Sequence, residues 1–576
     1  MAGEDPLYRH TYPRVAADPT RRHQDLHTSH HPYQASSNLR PSTAEVIATP
    51  RLVLRARDSK TRAPDMQAME KAQGAANSIP RRARPASGLR SCKRAILASG
   101  TVVLVTTWLT CLSNFRSPFP FFQGKRESTF DKAQRCAIDN LHRDLSFLDR
   151  AKPITIDEFV GRRDRLAQAL AASEIDAFVL EPGYTFQYYG NISQTDWEPW
   201  EPEERPFLML VLPEQAENGT IRAKTAFLSP HFEEGRVRML GIPSRDAELD
   251  IVIWEEHWDP YATLLKSRLF ADLNHKPKLM MDEEIRDYIV RGLGGVGFHT
   301  VGLTPAVELV RQTKSAAEVE LLRAVNTGTV EAVRAMRPCL VPGLTENQVT
   351  DILNNAMLSI GFQLFFNIVL FEGHGALPHG GFVTGWLKLT YESMVVIDVG
   401  AHYLGYSSDI CRSFFIDPPA GAYTLGGRLS DNIRGLMGLP SGRSEEGITD
   451  PDLHAEKLRV WKIVFEAQTA AAGAFKPNAT AASVDVAART VIEDAGYGNG
   501  FTHRLGHGIG IKAHESPYLN KWNTGVRLSP GMTFTNEPGI YLENRFGVRH
   551  EDIYLVKEDG EAELLSGRRA RGPYDP

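Results

Sequence analysis

The chain has 576 residues, of which 42% are hydrophobic and 23% are charged, and its formal net charge is −5. This is an ordinary globular balance for a chain of several domains, and it gives no indication of nucleic-acid binding. Five scattered cysteines without a CxxC pair argue against a disulfide framework and against a zinc ribbon.

Residues 1–94 differ from the rest of the chain. They are rich in Arg, Ser, Thr, Pro and His, and their apolar runs are short and without a sustained period. Such a segment cannot bury enough apolar surface to offset its chain entropy. We therefore expect a disordered basic tail.

Residues 95–115 carry no charge over 21 positions, and a helix of that length spans roughly 30 Å, the thickness of a bilayer core. Six Arg or Lys residues lie between positions 81 and 94, against three between 116 and 126. This bias predicts a single-pass membrane protein with a cytosolic N-terminus and a lumenal or extracellular catalytic part. A buried helix or a wrongly assigned start is the alternative. The sequons at Asn191, Asn218 and Asn478 are close to chance frequency.

Residues 116–152 are interpreted as a stem or linker, and the globular part begins at Pro153. Apolar runs at 177–180, 207–211, 224–228 and 251–254 predict strands that alternate with helices. This alternation predicts an α/β domain over residues 153–306.

A second domain is expected over residues 307–566. The spacing predicts helices over 317–337, 345–360, 461–475 and 483–495, and strands over 364–371, 394–400 and 409–416. Residues 417–454 are rich in Gly and Pro and predict a long surface insertion. Residues 567–576 are interpreted as a C-terminal tail.

The C-terminal third holds five metal-ligand residue types, each inside an apolar or Gly-rich stretch. Asp398 interrupts the apolar run Met394–Gly400, and Asp409 follows eleven residues later beyond two glycines. Because a lone buried carboxylate is costly, we expect it to be paired, protonated or bound to a cation. Two antiparallel strands joined by a short turn could bring both carboxylates to one point.

The other candidate ligands follow in order. His507 lies in the Gly-rich cluster HRLGHGIGIKAHESP, which also contains His503 and His514. Glu537 ends one predicted strand and Glu551 begins another. Arg549 lies two residues before Glu551 on a strand and so points the same way, where it could orient the carboxylates or hold substrate. This oxygen-rich set with one imidazole fits a pair of divalent cations.

These motifs carry a family resemblance. The strings VVIDVGA, SSDICRSF, GHGIGI, NEPGIY and VRHED are specific, and residues 155–566 resemble the pita-bread metallopeptidases: prolidase, aminopeptidase P and creatinase. The resemblance implies an α+β fold, in which a pita-bread catalytic domain, an antiparallel sheet with covering helices, follows a creatinase-type N-terminal α/β domain. It also implies a homodimer and a two-metal site holding Mn²⁺ or Co²⁺.

The resemblance also implies roles for single residues. Asp398 would bind one metal, His507 and Glu537 the other, and Asp409 and Glu551 would bridge both. Two such cations lower the pKa of a water molecule between them and polarise the scissile carbonyl. Glu537 would shuttle the proton. Three histidines match substrate-site positions of the family: His379 faces substrate, His514 stabilises the tetrahedral intermediate, and His503 lies near the proline pocket.

The predicted function is metal-dependent hydrolysis of the Xaa-Pro bond, whose tertiary amide lacks an N–H. The string His-Glu-Ser-Pro at His514 favours an Xaa-Pro dipeptidase acting on dipeptides, and an Xaa-Pro aminopeptidase acting on longer peptides is the alternative. The ligand set favours Mn²⁺, with Co²⁺, Zn²⁺ and Fe²⁺ left open. Two non-enzymatic hypotheses are a binding protein on the same fold and a membrane-tethered protein whose partner site is the 417–454 insertion.

Overall fold

The computed structural model describes residues 127–198, 206–381, 383–418 and 449–576. The predicted tail 1–94, the predicted span 95–115 and most of the predicted insertion 417–454 lie outside the described residues, so they stay predictions from the sequence. Among the described helices, none combines the length and the apolar character that a membrane crossing requires.

The helices and strands alternate first and then segregate along the chain. The helices are α1 (Thr129–Leu141), α2 (Ile156–Ala172), α3 (Tyr184–Gly190), α4 (Glu234–Met239), α5 (Pro260–Leu265), α6 (Asp287–Val296), α7 (Pro305–Gln312), α8 (Ala316–Met336), α9 (Glu346–Ser359), α10 (Pro451–Ala472) and α11 (Ala481–Asp494). The strands are β1 (Ala177–Leu180), β2 (Leu208–Gln215), β3 (Ile221–Pro230), β4 (Asp250–Trp254), β5 (Lys278–Met281), β6 (His299–Val301), β7 (Gln363–Phe371), β8 (Val395–Tyr403), β9 (Tyr406–Ser407), β10 (Ile410–Phe414), β11 (Gly506–Gly508), β12 (Glu515–Leu519), β13 (Thr533–Asn536), β14 (Gly539–Leu542), β15 (Phe546–Arg549), β16 (Asp552–Val556) and β17 (Ala562–Leu564).

The first six strands form one mixed sheet in the order β4-β3-β2-β1-β5-β6. Strands β1, β2 and β3 pair antiparallel, whereas the remaining neighbours pair parallel. Successive side chains of β1 point to opposite faces. Phe178 and Leu180 join an apolar cluster with α2, and Ala177 and Val179 join another with α5 and α6. The sheet is therefore covered on both faces, as the continuous apolar runs of the sequence indicate.

The remaining strands form antiparallel sheets that are covered by helices on their outer faces. One sheet has the order β10-β8-β7 with β9 beside β8, and another has the order β12-β11-β13-β16-β17. Helices α8 and α9 pack on the first sheet, and α10 and α11 pack on the second. Along β8, Ile397 and Val399 face these helices. Asp398 between them therefore points to the opposite, inner side.

The prediction of a linker over residues 116–152 is wrong for the described part, because α1 belongs to the core of the second domain. Ser128 caps α1, and Ala133, Ala137 and Leu141 pack on α8 and α9. A disulfide joins Cys136 of α1 to Cys339, just after α8. The sequence gives little sign of this packing, because two alanines and one leucine make a weak apolar stripe. It gives little sign of the disulfide either, because the partner of Cys136 is 203 residues away.

The ends of two other predicted segments are also folded. In the predicted tail 567–576, the Pro573 carbonyl accepts a hydrogen bond from the backbone N–H of Phe415 at 2.7 Å, and Ala570 is buried. Helix α10 begins at Pro451, inside the predicted insertion. At one described edge of that insertion, Asp417 forms an ion pair with Arg337. At the other edge, Thr449 donates hydrogen bonds to Glu392.

Because α1 is part of the core of the second domain, a charge placed inside its packed stripe must destabilise the protein. Ala137 has no exposed surface. We expect Ala137→Asp to lower the free energy of unfolding by roughly 3–5 kcal/mol, because the new carboxylate has no partner there. Urea unfolding of the full chain would measure this. Lys132→Asp, on the exposed side of α1, is the matched control, and equal stability of the two variants would contradict the packing described here.

Candidate metal centre

Strands β8 and β10 place two aspartates on one inner face. Asp398 lies opposite Cys411 in the antiparallel register. Asp409, two residues before Cys411, therefore projects to the same side. The backbone N–H of Asp409 donates to Oδ1 of the buried Asn326 on α8 at 3.2 Å. A side chain at Gly400 would come within 2.7 Å of the Ser408 carbonyl, so the close strand approach requires glycine.

The second sheet supplies the other three predicted ligands. His507 lies on β11, and its Nδ1 donates to the Gly508 carbonyl at 3.0 Å, so Nε2 faces the carboxylates. Glu537 directly follows β13, and its Oε1 is 3.3 Å from His507 Nε2. Glu551 lies between β15 and β16, where its N–H donates to the Cys411 carbonyl at 3.0 Å. This last bond ties Glu551 to β10.

The five side chains meet in overlapping groups whose ligand atoms all lie within 4.8 Å of one another. One group is Asp398, Asp409 and Glu551, and another is His507, Glu537 and Glu551. Glu551 belongs to both groups, and Asp409 and His507 recur in a third group with His514. The structure thus brings together all five residues that the sequence singled out, while their individual roles stay predictions.

The buried carboxylates repel one another. Burial, and then the charges of Asp398 and Glu537, hold the pKa of Asp409 well above its usual range. Burial, and then Asp409 and Glu537, do the same for the pKa of Glu551. Burial also raises the pKa of Asp398. It opposes ionisation of Glu537 as well, but the hydrogen bond and charge of His507 bring the pKa of Glu537 down to about 2.

These residues fit a pair of divalent cations. Oδ1 of Asp398 and Oε1 of Glu551 are buried and have no hydrogen-bond partner within the described part of the chain. Buried polar atoms without partners are uncommon in proteins. Four carboxylates and one imidazole are the donors that a hard or borderline divalent cation prefers, and its charge would offset their repulsion.

A cavity of about 610 Å³ opens onto this cluster. Its lining contains all the predicted site residues except Glu551, together with apolar side chains and a second arginine: Phe366, Ile368, Leu377, Pro378, His379, Gly380, Asp398, Asp409, His503, Arg504, His507, His514, Glu537 and Arg549. His514 is half exposed here, with its Nε2 3.6 Å from Asp409 Oδ2. Burial, and then the charge of His507, lower the pKa of His514 to about 4, so its imidazole is neutral at pH 7.

Arg549 links the ligands to the cavity wall. Its Nη2 donates to Asp398, and its Nη1 donates to Tyr541 Oη at 2.6 Å and to the Pro378 carbonyl at 3.0 Å. Tyr541 Oη lies 2.9 Å from Nε2 of His503. Burial lowers the pKa of His503 to about 4, so this ring is neutral. Of the two predicted roles for Arg549, these contacts favour orientation of the carboxylates.

The segment that carries His379 is anchored by Glu346, a residue that sequence reasoning missed. The buried Glu346 carboxylate accepts hydrogen bonds from Phe371 N–H at 2.8 Å and Gly385 N–H at 2.6 Å, and it lies 2.9 Å from Nδ1 of His374. These contacts fix the chain on both sides of His379. Glu346 directly follows the helix cap Thr345 in the sequence. Acidic residues are favoured in the first turn of a helix, so the sequence gives no reason to assign Glu346 to a functional site.

The chain around His514 is held by the N-terminal domain. Glu515 is buried and forms ion pairs with Lys314 and Arg311, which lie at the junction of the two domains. On the other side of His514, Lys512 Nζ is 2.9 Å from Glu283 of the N-terminal domain. The position of His514 therefore depends on the way the two domains pack.

The comparisons with known proteins agree with this geometry. The model of metallopeptidase family M24 matches residues 320–429 and 447–558, and the gap between them falls inside the predicted insertion. An uncharacterised peptidase of Schizosaccharomyces pombe is 35% identical over 452 residues, which cover 78% of this chain and 90% of that protein. An Xaa-Pro dipeptidase of Pyrococcus furiosus is 32% identical over 262 residues, 45% of this chain and 65% of that protein.

A solved structure is also similar. The dipeptidase PepE from Mycobacterium ulcerans has a TM-score of 0.57 and 28% sequence identity, and the match covers 72% of this chain and 98% of that one. The family match contains the strands and loops that carry the five clustered residues, and the similarity to PepE covers 72% of this chain. The chain therefore belongs to metallopeptidase family M24, the pita-bread peptidases.

Proposed function

We propose that this peptidase hydrolyses the Xaa-Pro bond of dipeptides and depends on two divalent cations. The observation that carries the proposal is the convergence of Asp398, Asp409, His507, Glu537 and Glu551 beside one cavity, with two carboxylate oxygens that have no hydrogen-bond partner among the described residues. The relatives named dipeptidase and Xaa-Pro dipeptidase support the substrate class.

The donor set supports Mn²⁺ as the ion, because four of the five side chains offer oxygen; Co²⁺, Zn²⁺ and Fe²⁺ are the alternatives. Asp398, Asp409, His507, Glu537 and Glu551 would hold the ions. When bound, such ions polarise a carbonyl group and activate a water molecule.

The chain's own groups have distinct tasks in this proposal. As a water oxygen attacks the scissile carbonyl carbon, the ionised Glu537 accepts the proton that the water loses. The C–N bond then breaks, and the proline nitrogen takes up the proton that Glu537 accepted, which returns Glu537 to its ionised form. The neutral His514, at the cavity wall, can donate a hydrogen bond to the carbonyl oxygen as it gains negative charge. His379 lies on the same wall, where the contact of Arg549 with Pro378 fixes its backbone.

The full chain loaded with Mn²⁺ should cleave Ala-Pro in preference to Ala-Pro-Ala, with bound metal measured on the same sample. Asp409→Ala should lower both metal content and activity, the latter by roughly 100-fold or more, because the ligand is lost. Asp494→Asn, at the exposed end of α11, is the charge-matched control. Preference for the tripeptide would indicate an aminopeptidase, and full activity of Asp409→Ala would contradict the two-metal assignment.

A double-mutant cycle tests whether Glu346 acts through His379. His379→Ala should lower kcat while bound metal is retained. Glu346→Gln should lower kcat by roughly 5- to 30-fold, since its amide cannot accept all the hydrogen bonds that hold the segment. In the His379→Ala background, Glu346→Gln should have little further effect. Additive losses, or loss of metal from either variant, would show that these residues act elsewhere.

We also propose the membrane topology predicted from residues 95–115. The disulfide Cys136–Cys339 supports a lumenal or extracellular catalytic part, because structural disulfides persist in oxidising compartments. Alkaline carbonate should leave the full chain in the membrane fraction, and release without detergent would refute the span. The homodimer predicted from the family resemblance is a further proposal, which sedimentation of the full chain in detergent tests.

A further inference from the structure

Three Asn-Xaa-Ser/Thr sequons lie in the described part of the chain, and the proposed hydrolysis uses none of them. They begin at Asn191, Asn218 and Asn478, and all three asparagines are exposed, so exposure alone does not separate them. An N-linked glycan is bulky and solvated, and it needs a surface loop that can carry it. The contacts of the residues that follow each asparagine therefore decide which sequon fits a glycan.

The sequon at Asn218 forms the tip of the hairpin between β2 and β3. Asn218, Gly219 and Thr220 are all exposed, and a side chain added at Gly219 would meet nothing within 4 Å. The Ala216 N–H donates to the Thr220 carbonyl at 2.9 Å, and the Gly219 N–H donates to the Ala216 carbonyl at 2.8 Å. This tight turn presents the whole sequon to solvent.

The two side chains of this sequon are in contact with each other. The Thr220 hydroxyl donates to Oδ1 of Asn218 at 2.7 Å, and the Thr220 N–H donates to the same oxygen at 3.1 Å. Such an Asx-type turn is a local structure that other parts of the fold do not have to support. It engages the amide oxygen and leaves Nδ2, the atom that carries an N-linked glycan, without a hydrogen bond to any residue in the described ranges.

The sequon at Asn191 is part of the packing of the N-terminal domain. Asn191 follows α3 in a left-handed backbone conformation, with φ of 59°. The next residue, Ile192, is buried in the apolar cluster below the sheet. The Ser193 hydroxyl donates to the Asp196 carboxylate at 2.8 Å. The middle residue of this sequon thus faces the interior, and its hydroxyl serves another loop contact.

The sequon at Asn478 is bound along its backbone to another segment of the chain. The Asn478 N–H donates to the Leu528 carbonyl at 2.9 Å, and the Asn478 carbonyl accepts a hydrogen bond from Nη1 of Arg527 at 2.7 Å. The Thr480 hydroxyl accepts the Ser483 N–H at 3.1 Å and so caps α11. Both the backbone and the hydroxyl of this sequon are therefore engaged by the fold.

We propose that Asn218 is the N-glycosylation site of this protein. The inference rests on the proposed lumenal or extracellular catalytic part, which the disulfide Cys136–Cys339 supports. In the transfer, Nδ2 of Asn218 forms a bond to the anomeric carbon of a lipid-diphosphate-linked oligosaccharide. The bond between that carbon and the diphosphate oxygen breaks, the lipid diphosphate leaves, and Nδ2 loses one proton. The glycan then extends from the hairpin tip into solvent.

Expression of the full chain in a eukaryotic secretory host tests the site. Treatment with peptide N-glycosidase should increase the electrophoretic mobility of the wild type by the equivalent of one glycan. Asn218→Gln, which keeps an amide, and Thr220→Ala, which removes the hydroxyl, should each abolish this change. Thr220→Ser, which keeps a hydroxyl, should retain it. The matched controls Asn191→Gln and Asn478→Gln should behave as the wild type.

Protease protection on intact microsomes separates this inference from the proposed topology. If protease added outside the microsomes digests the catalytic part, the topology is refuted and the glycosylation proposal with it. If the catalytic part is protected but the wild type carries no glycan, or if Asn218→Gln keeps the glycan, the topology stands and the site is wrong. Neither readout needs peptide hydrolysis, so a failure of the proposed Xaa-Pro activity would leave both unchanged.

Discussion

Four carboxylates meet in the interior of the catalytic half, and the cost of keeping them there constrains the structure around them. Asp398, Asp409 and Glu551 each have almost no exposed surface, and their pKa values are raised by burial and by one another. A buried charge without a partner costs several kcal/mol, so such a cluster persists only if cations bind it and rigid neighbours hold it. The same repulsion favours metal binding, because bound cations offset the charges of the carboxylates.

The rigid neighbours are backbone and side-chain hydrogen-bonding groups from several elements. Asn326 on α8 accepts from the N–H of Asp409, and the N–H of Glu551 donates to β10. The junction between the domains extends this support, since Glu515 is paired with Lys314 and Arg311 beside His514. Glu283 of the N-terminal domain adds to this support through its contact with Lys512, on the other side of His514. Loss of a supporting contact would misplace ligands that remain chemically intact.

Much of the site could be predicted, because several of its residues differ in type from the residues around them in the sequence. A carboxylate inside an apolar strand, as at Asp398, and a histidine among glycines, as at His507, are both visible in the sequence. Glu346 and Asn326 are not, because each has an ordinary explanation in a helix and its partners lie far along the chain. The packing of α1 was missed for a similar reason: Ala133 and Ala137 carry little apolar signal, and only tertiary contacts show that they are buried.

One guanidinium contacts both a predicted metal ligand and the wall of the cavity. Arg549 is bonded to Asp398 on one side and to the Pro378 carbonyl on the other, next to His379. Thermodynamic linkage requires that any coupling of two ligands through such a contact be reciprocal. If loading of metal moves Asp398 and shifts the affinity for peptide by some factor, peptide shifts the affinity for metal by the same factor. A cell's supply of metal and its supply of substrate would then act on this enzyme as mutual effectors.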